Sequence, residues 1–256
     1  MSMYIVNELA PLKQHLATNS QIHQVIKDNN AQYHWQEVNP ANNDPLLFEK
    51  PLSSAKGYFF AEQENLLVFD GHCFRETLPK VKPFVLFGVQ SCDLTAIHYQ
   101  DQFFRDDPYY QTRREKCLLV GIDCITPCEH GFCPTVDAGP GVKSHTADIT
   151  LHPIPKQGWL VIVNSKKGEE AMAGLKLETA PQDLLIKREQ QLAKCIQQFP
   201  DDSHIIAGIM KLNLGNISPQ FWERVAIHCL SCSGCTTLRP TCSCYGTRST
   251  ASNDNE

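Results

Sequence analysis

The sequence predicts an α/β fold, a mainly parallel or mixed sheet with flanking helices, carrying a small C-terminal cysteine-rich segment. Three observations predict it. Short apolar runs of strand length fall at residues 66–69, 84–89, 117–122 and 159–164; stretches of helical spacing lie between or after them. Of the twelve cysteines, five crowd into the sixteen residues from Cys229 to Cys244. A chain of 256 residues suits one main domain with an appendage. The expected division is an α/β domain over 1–215, a cysteine-rich segment over 216–245 and a disordered polar tail over 246–256.

Taken in order, residues 9–28 place Leu12, Leu16, Ile22, Val25 and Ile26 at loosely helical spacing, with Asn19-Ser20 marking a break between two short helices. Residues 37–56, rich in Asn, Pro and Ser, read as a long surface loop, functional or mobile. The four apolar runs are expected to share one sheet. Between the second and third, Leu94, Ile97, His98, Asp101 and Phe104 outline a helix over 93–104 capped by Ser91 or Asp93. Strand, helix, strand implies a parallel crossover. Further helices are expected at 168–175 and 181–199. The last begins at Ser218-Pro219, a good cap followed by a proline at the first helical position, and runs to His228, delivering Cys229.

Composition removes several classes. Hydrophobic residues make up 42% and charged residues 20%, with no apolar run long enough for a membrane helix. The start, Met1-Ser2-Met3-Tyr4, lacks the basic and apolar regions of a secretory signal, so a cytoplasmic location without membrane insertion is expected. The net charge is −5 and the basic residues form no stripe, which argues against nucleic acid. There is no P-loop, no G-x-G-x-x-G and no G-x-S-x-G. In a reducing compartment, twelve cysteines point to metal or redox chemistry rather than disulfides.

The C-terminal stretch reads Cys229-Leu-Ser-Cys232-Ser-Gly-Cys235-Thr-Thr-Leu-Arg239-Pro240-Thr-Cys242-Ser-Cys244. Its C-x2-C-x2-C spacing is that of bacterial ferredoxins, in which three such thiolates take three corners of one cubane. Arg239 stands at the place of the usual fourth cysteine, so Cys242 or Cys244 is the nearest further ligand. A ferredoxin-like 4Fe–4S site on Cys229, Cys232, Cys235 and Cys242, with Cys244 in reserve, is the leading assignment. Tetrahedral zinc on Cys229, Cys232, Cys242 and Cys244 is the alternative; it leaves Cys235 unused.

Two upstream stretches, each following an expected strand, carry Cys92 and the group Cys124, Cys128 and Cys133. In an open parallel sheet, ligands sit beyond the carboxyl ends of the strands, which places both stretches on one rim. Cys92 falls at a helix N-terminus, where the dipole favours an anion. These four are further candidate metal ligands, and His130 beside them is a weaker one. Cys73, Cys117 and Cys195 stand alone. The same rim is also where a flavin would bind, making a flavin-dependent oxidoreductase a third reading.

Lys50-Pro51 to Phe60, Phe87-Gly-Val with Cys92-Asp93-Leu94, Asp106-Asp107-Pro108-Tyr109-Tyr110, the stretch from Cys124 to Pro140, and Cys-Leu-Ser-Cys with Pro-Thr-Cys-Ser-Cys together resemble the dicluster-ferredoxin-like electron-transfer subunits, represented in anaerobic sulfite reductase and sulfhydrogenase. The resemblance covers most of the chain. It implies an electron-transfer component of an oxidoreductase complex, working between a donor protein and a catalytic reductase or hydrogenase subunit through cubane clusters. Two departures are visible. The family has cysteine where Arg239 stands and a second C-x2-C-x2-C-x3-C-P run downstream, so a single cluster in a shortened relative is expected here. It also tends to repeat cysteine where this chain has Gly131.

Overall fold

A single large sheet with an apolar core on each face organises the chain. The computed structural model describes residues 2–42 and 44–250. It opens with β1 (Ser2–Val6), α1 (Ala10–Leu16), β2 (Gln21–Lys27) and β3 (Tyr33–Glu37), followed by a 3-10 turn (Ala55–Tyr58) and the strands β4 (Leu67–Phe69) and β5 (Phe74–Glu76). The central stretch is β6 (Phe84–Gln90), α2 (Ser91–Phe103), α3 (Pro108–Lys116) and β7 (Cys117–Ile122). After it come β8 (Ile149–Ile154), β9 (Gly158–Val163), α4 (Lys166–Met172), β10 (Glu178–Thr179), α5 (Asp183–Gln197), α6 (Ser203–Asn213), α7 (Pro219–Ile227) and α8 (Gly234–Leu238).

The main sheet runs β10-β1-β9-β8-β7-β6-β2-β3. Its middle four strands, β2, β6, β7 and β8, are mutually parallel, and antiparallel pairs close both flanks. Strands β6 and β7 are buried along their whole length, as central parallel strands covered on both faces must be. Their side chains alternate between two cores. Val85, Phe87, Leu118 and Val120 join Leu12 and Leu16 of α1 and Met172 of α4; Leu86, Val89 and Leu119 join Leu94 and Ile97 of α2. Val89 lies on the same face as Leu86 because the register shifts between Phe87 and Val89, a bulge centred on Gly88 at φ +85°. An L side chain is strained at that φ, and its Cβ would also press on the Leu46 side chain, so the position favours glycine.

The sequence expectation for residues 9–28 is corrected. Only α1 is helical; 21–27 form β2, paired in parallel with β6. Ile22, Val25 and Ile26 are β-branched and favour the pleated surface once a neighbouring strand offers its ladder. The run 66–69 does contain a strand, but it pairs with β5 in a separate hairpin rather than with the main sheet. All its residues are exposed. The N-cap of α2 is Gln90, not Ser91 or Asp93, and its side chain makes no capping bond; Ser91 Oγ donates instead to Gly141 O at 2.7 Å. Ser218 does cap α7, accepting from Phe221 N.

The long loop after β3 is tied to the sheet at its middle, where Asp44 O accepts from Lys13 Nζ and Pro45 O from Gln24 Nε2. Helices α6 and α7 bury no residue, leaving Ile206, Met210, Leu214, Phe221, Trp222 and Ile227 exposed. Residues 246–250 are exposed without regular structure; the rest of the expected disordered tail, 251–256, lies outside the described residues. No helix among the described residues is long and apolar enough to cross a membrane.

Candidate metal centre

Cysteines gather at two places. The first is the carboxyl rim of β6 and β7. These strands are parallel neighbours with Gln90 opposite Ile122, so Cys92, in the first turn of α2, and Cys124 each stand two residues beyond the same rung. The chain then winds through Cys128 and Cys133 before reaching β8. Its return is fixed by backbone bonds from Cys124 N to Pro140 O at 3.1 Å and from Ala138 N to Cys133 O at 2.8 Å. The sequence reading of one shared rim holds for Cys92 and Cys124, and the loop adds the other two.

The thiols are close enough to oppose one another's ionisation. Burial pushes Cys92 up to about 12, helped by the charges of Asp93 and Cys133, while Lys50 pulls the other way. Cys124 is raised by burial first, then by Cys92, Cys133 and Cys128. Cys133 rises to about 11 through burial and Cys128, with Cys195 contributing. In a poorly hydrated site, thiolates without a cation are costly; a bound metal reverses that balance and deprotonates them. Cys195, which the sequence left standing alone, is a fifth thiol here. It is buried on α5 and its electrostatic neighbour is Cys128. His130 is not part of the group: its side chain is 92% exposed and its nearest charged partner is Glu129, 3.6 Å away.

Asp123, the residue before Cys124, anchors this rim, and sequence reasoning missed it. Its carboxylate is fully enclosed and accepts from Arg188 Nε at 2.6 Å, Arg188 Nη2 at 3.0 Å, His152 Nδ1 at 2.9 Å and Val142 N at 2.7 Å. Burial alone would raise its pKa, but His152, Arg188 and the amide outweigh that and hold it below the ordinary carboxylate value. Arg188 lies on α5 and His152 on β8, so one buried charge ties the loop, a helix and a strand together. The only sequence sign is an aspartate directly after an apolar strand.

The second gathering is the C-terminal stretch. Cys229, Cys232, Cys235 and Cys244 are exposed, and Cys242 is buried. Ser231 and Ser233 adopt left-handed conformations, at φ +52° and +58°, and bend the backbone between successive cysteines. The stretch is fastened to the sheet domain by Lys56, whose Nζ donates to Thr236 O at 3.0 Å, Arg239 O at 3.1 Å and Cys242 O at 3.3 Å. Gln100 Nε2 donates to Pro240 O at 3.2 Å, and Tyr245 meets Phe60 edge-on. Cys242 is held below the ordinary thiol value, first by the Cys244 backbone N–H, then by the Cys244 thiol and the nearby Lys56 and Arg239 cations. Arg239 thus serves the cysteine pair as a neighbouring charge. Among the described residues of both places, no three Cys, His or acidic side chains stand close enough to grip a single metal ion.

No family model and no solved structure matches the chain. It is 31% identical over 224 residues to sulfhydrogenase 2 subunit beta of Pyrococcus furiosus, a likeness that takes in 84% of this chain and 64% of that protein. The chain therefore spans less than two-thirds of the length of the curated relative it matches.

Proposed function

We propose that this chain is an iron–sulfur electron-transfer subunit that passes electrons to or from a catalytic reductase or hydrogenase subunit. The observation that carries the reading is the C-x2-C-x2-C run Cys229, Cys232, Cys235, followed by Cys242 and Cys244, on a stretch that Lys56 clamps to the sheet domain through three carbonyls. The likeness to a sulfhydrogenase beta subunit supports it. The residues fit a 4Fe–4S cluster by the chemistry of the donor set, which is thiol only, and by the left-handed serines that let closely spaced cysteines turn to one side. Cys229, Cys232 and Cys235 would hold three irons, and Cys242, the next cysteine along the clamped stretch, would be the fourth ligand.

When bound, the cluster supplies a one-electron store near the surface. The protein's own part is to hold it there: the exposed cysteines keep the path to a partner short, and the Lys56 and Gln100 bonds fix the cysteine stretch against the sheet domain. Lys56 and Arg239 add positive charge beside Cys242, which favours the reduced, more negative state of a nearby cluster. No side chain needs to act as an acid or base.

The test is the iron, zinc and acid-labile sulfide content of anaerobically purified protein, with its reduced-state paramagnetic resonance. Variants with Cys229, Cys232 and Cys235 replaced by serine are compared with it. The reading requires these variants to lose about four iron and four sulfide per chain, the complement of one cubane. Stoichiometric zinc without sulfide, lost from the same variants, would assign the segment to a zinc-stapled docking subunit instead. A flavin released on mild denaturation would place the chain among flavin oxidoreductases.

A further inference from the structure

We propose that Cys92, Cys124, Cys128 and Cys133 hold an iron–sulfur cluster of their own on the carboxyl rim of β6 and β7, apart from the C-terminal cysteines. The inference stands on different residues from those of the preceding section and does not depend on them.

The geometry is that of a prepared site. Two ligands come from adjacent parallel strands at matched height, since Gln90 and Ile122 are paired. The other two come from the crossover loop, whose ends are pinned by the Cys124 to Pro140 and Ala138 to Cys133 backbone bonds. Space around the sulfurs is kept open by glycines. A Cβ on Gly131 would lie 2.7 Å from Cys128 Sγ, and one on Gly139 would lie 3.3 Å from both Cys133 Sγ and Ser91 Cβ. The second measurement also puts the Cys133 sulfur and Ser91, the residue before Cys92, beside the same glycine. A set of four thiols without carboxylate or imidazole selects soft metals, meaning zinc or iron–sulfur. The donors come from two separate stretches, the first turn of α2 and the loop between β7 and β8. That spread suits a polynuclear cluster, which carries its four cysteines on separate irons.

Cys195 stands behind Cys128 on α5. It is fully buried, and its thiol is raised first by burial and then by Cys128. Its assigned role is packing beside Cys128 rather than a place among the four ligands.

The decisive experiment removes the other gathering. In a full-length chain with Cys229, Cys232, Cys235, Cys242 and Cys244 all changed to serine, purified without oxygen, about four iron and four sulfide per chain are expected to remain. A reduced-state resonance signal of a cubane should remain with them. Absence of iron, or zinc without sulfide, overturns the proposal. A second pair, Cys124→Ser with Cys128→Ser in the otherwise native chain, is expected to lose that complement while keeping its far-ultraviolet circular dichroism. If that pair does not fold, the fivefold variant still decides. Cys195→Ala is expected to keep full iron; loss of half the rim iron on that change would move the ligand assignment to Cys195. If the native chain and the fivefold variant carry the same iron, the rim cluster stands and the C-terminal reading fails.

Discussion

The rim of β6 and β7 and the C-terminal stretch carry nearly the same number of cysteines but hold them in opposite ways. At the rim, the thiols are half-buried just beyond strands that are buried on both faces, and a buried carboxylate with two basic partners fixes the loop that bears three of them. At the C-terminus, four of five thiols face solvent, the preceding helices bury nothing, and one lysine supplies most of the anchoring. The first arrangement is built by folding; under the proposed function the second would draw its order from the metal it binds. A site built by folding suits a cluster deep in a chain of carriers, and one ordered by its metal suits the contact point with a partner.

Removing the Asp123 charge is expected to give the largest effect. Asp123→Asn keeps the shape but leaves Arg188 half-buried without its counter-charge, which costs about 3–5 kcal/mol. In a chain of this size, that is a fall of about 10 °C in the thermal midpoint, read by differential scanning calorimetry on metal-free protein. The companion change Arg188→Gln is expected to fall within the same range, and the double variant to lose much less than the sum. Equal stability of Asp123→Asn and the native chain would mean that the rim is not fixed by this charge.

Next in size is Gly131→Ala. The added methyl meets Cys128 Sγ at 2.7 Å and Cys128 O and Phe199 Cε1 at 3.0 Å, so the loop must shift, at about 1–3 kcal/mol. Iron bound at the rim is expected to fall while iron bound at the C-terminal cysteines stays. Metal content of this variant made in the two backgrounds, with and without the C-terminal cysteines, checks it. Retention of full rim iron would show the cradle to be wider than the glycine contacts imply.

The contrast also explains what could be read from the sequence. Strands β6 and β7 were legible because central parallel strands are apolar on both faces, so Phe84-Val-Leu-Phe and Cys117-Leu-Leu-Val stand out as runs. The rim followed from the strand ends, and with it Cys92 and Cys124. Strand β2 was not legible, because Gln24 is buried in it and is satisfied by Lys13 of α1 and by Pro45 O. A polar residue whose partners lie elsewhere in the chain breaks the apolar alternation that marks a strand. Asp123 was missed for the same reason, since its three partners come from β8, α5 and the Val142 loop. Cys195 has no cysteine near it in sequence, and only the placement of α5 brings it within the electrostatic reach of Cys128. The C-terminal motif was plain because its ligands are close in sequence, but its fastening was not: Lys56 lies far upstream, and a single lysine in a loop carries no signal of the three carbonyls it will meet.

The smallest effect on the whole fold, and the sharpest test of the contrast, is Lys56→Met. Methionine keeps a long apolar side chain but removes the cation over the Phe60 ring and the donor to Thr236 O, Arg239 O and Cys242 O. Those carbonyls are partly exposed, so water replaces much of what is lost, and a net cost of about 1.5 kcal/mol is reasonable for a hydrogen-bonded charge. The sheet core does not share these bonds, so the thermal midpoint of the metal-free protein is expected to move by no more than about 3 °C. Local opening of the cysteine stretch, by contrast, becomes about tenfold more frequent, since that energy falls on one segment rather than on the global transition. Hydrogen exchange of residues 234–245 and limited proteolysis near Arg239 read it directly. Metal loading should then restore protection in the variant, because ligands held by iron substitute for ligands held by Lys56. Exchange that rises equally in β6 and β7 would instead show that the two regions unfold as one, and the distinction between a site built by folding and a site ordered by its metal would have to be given up.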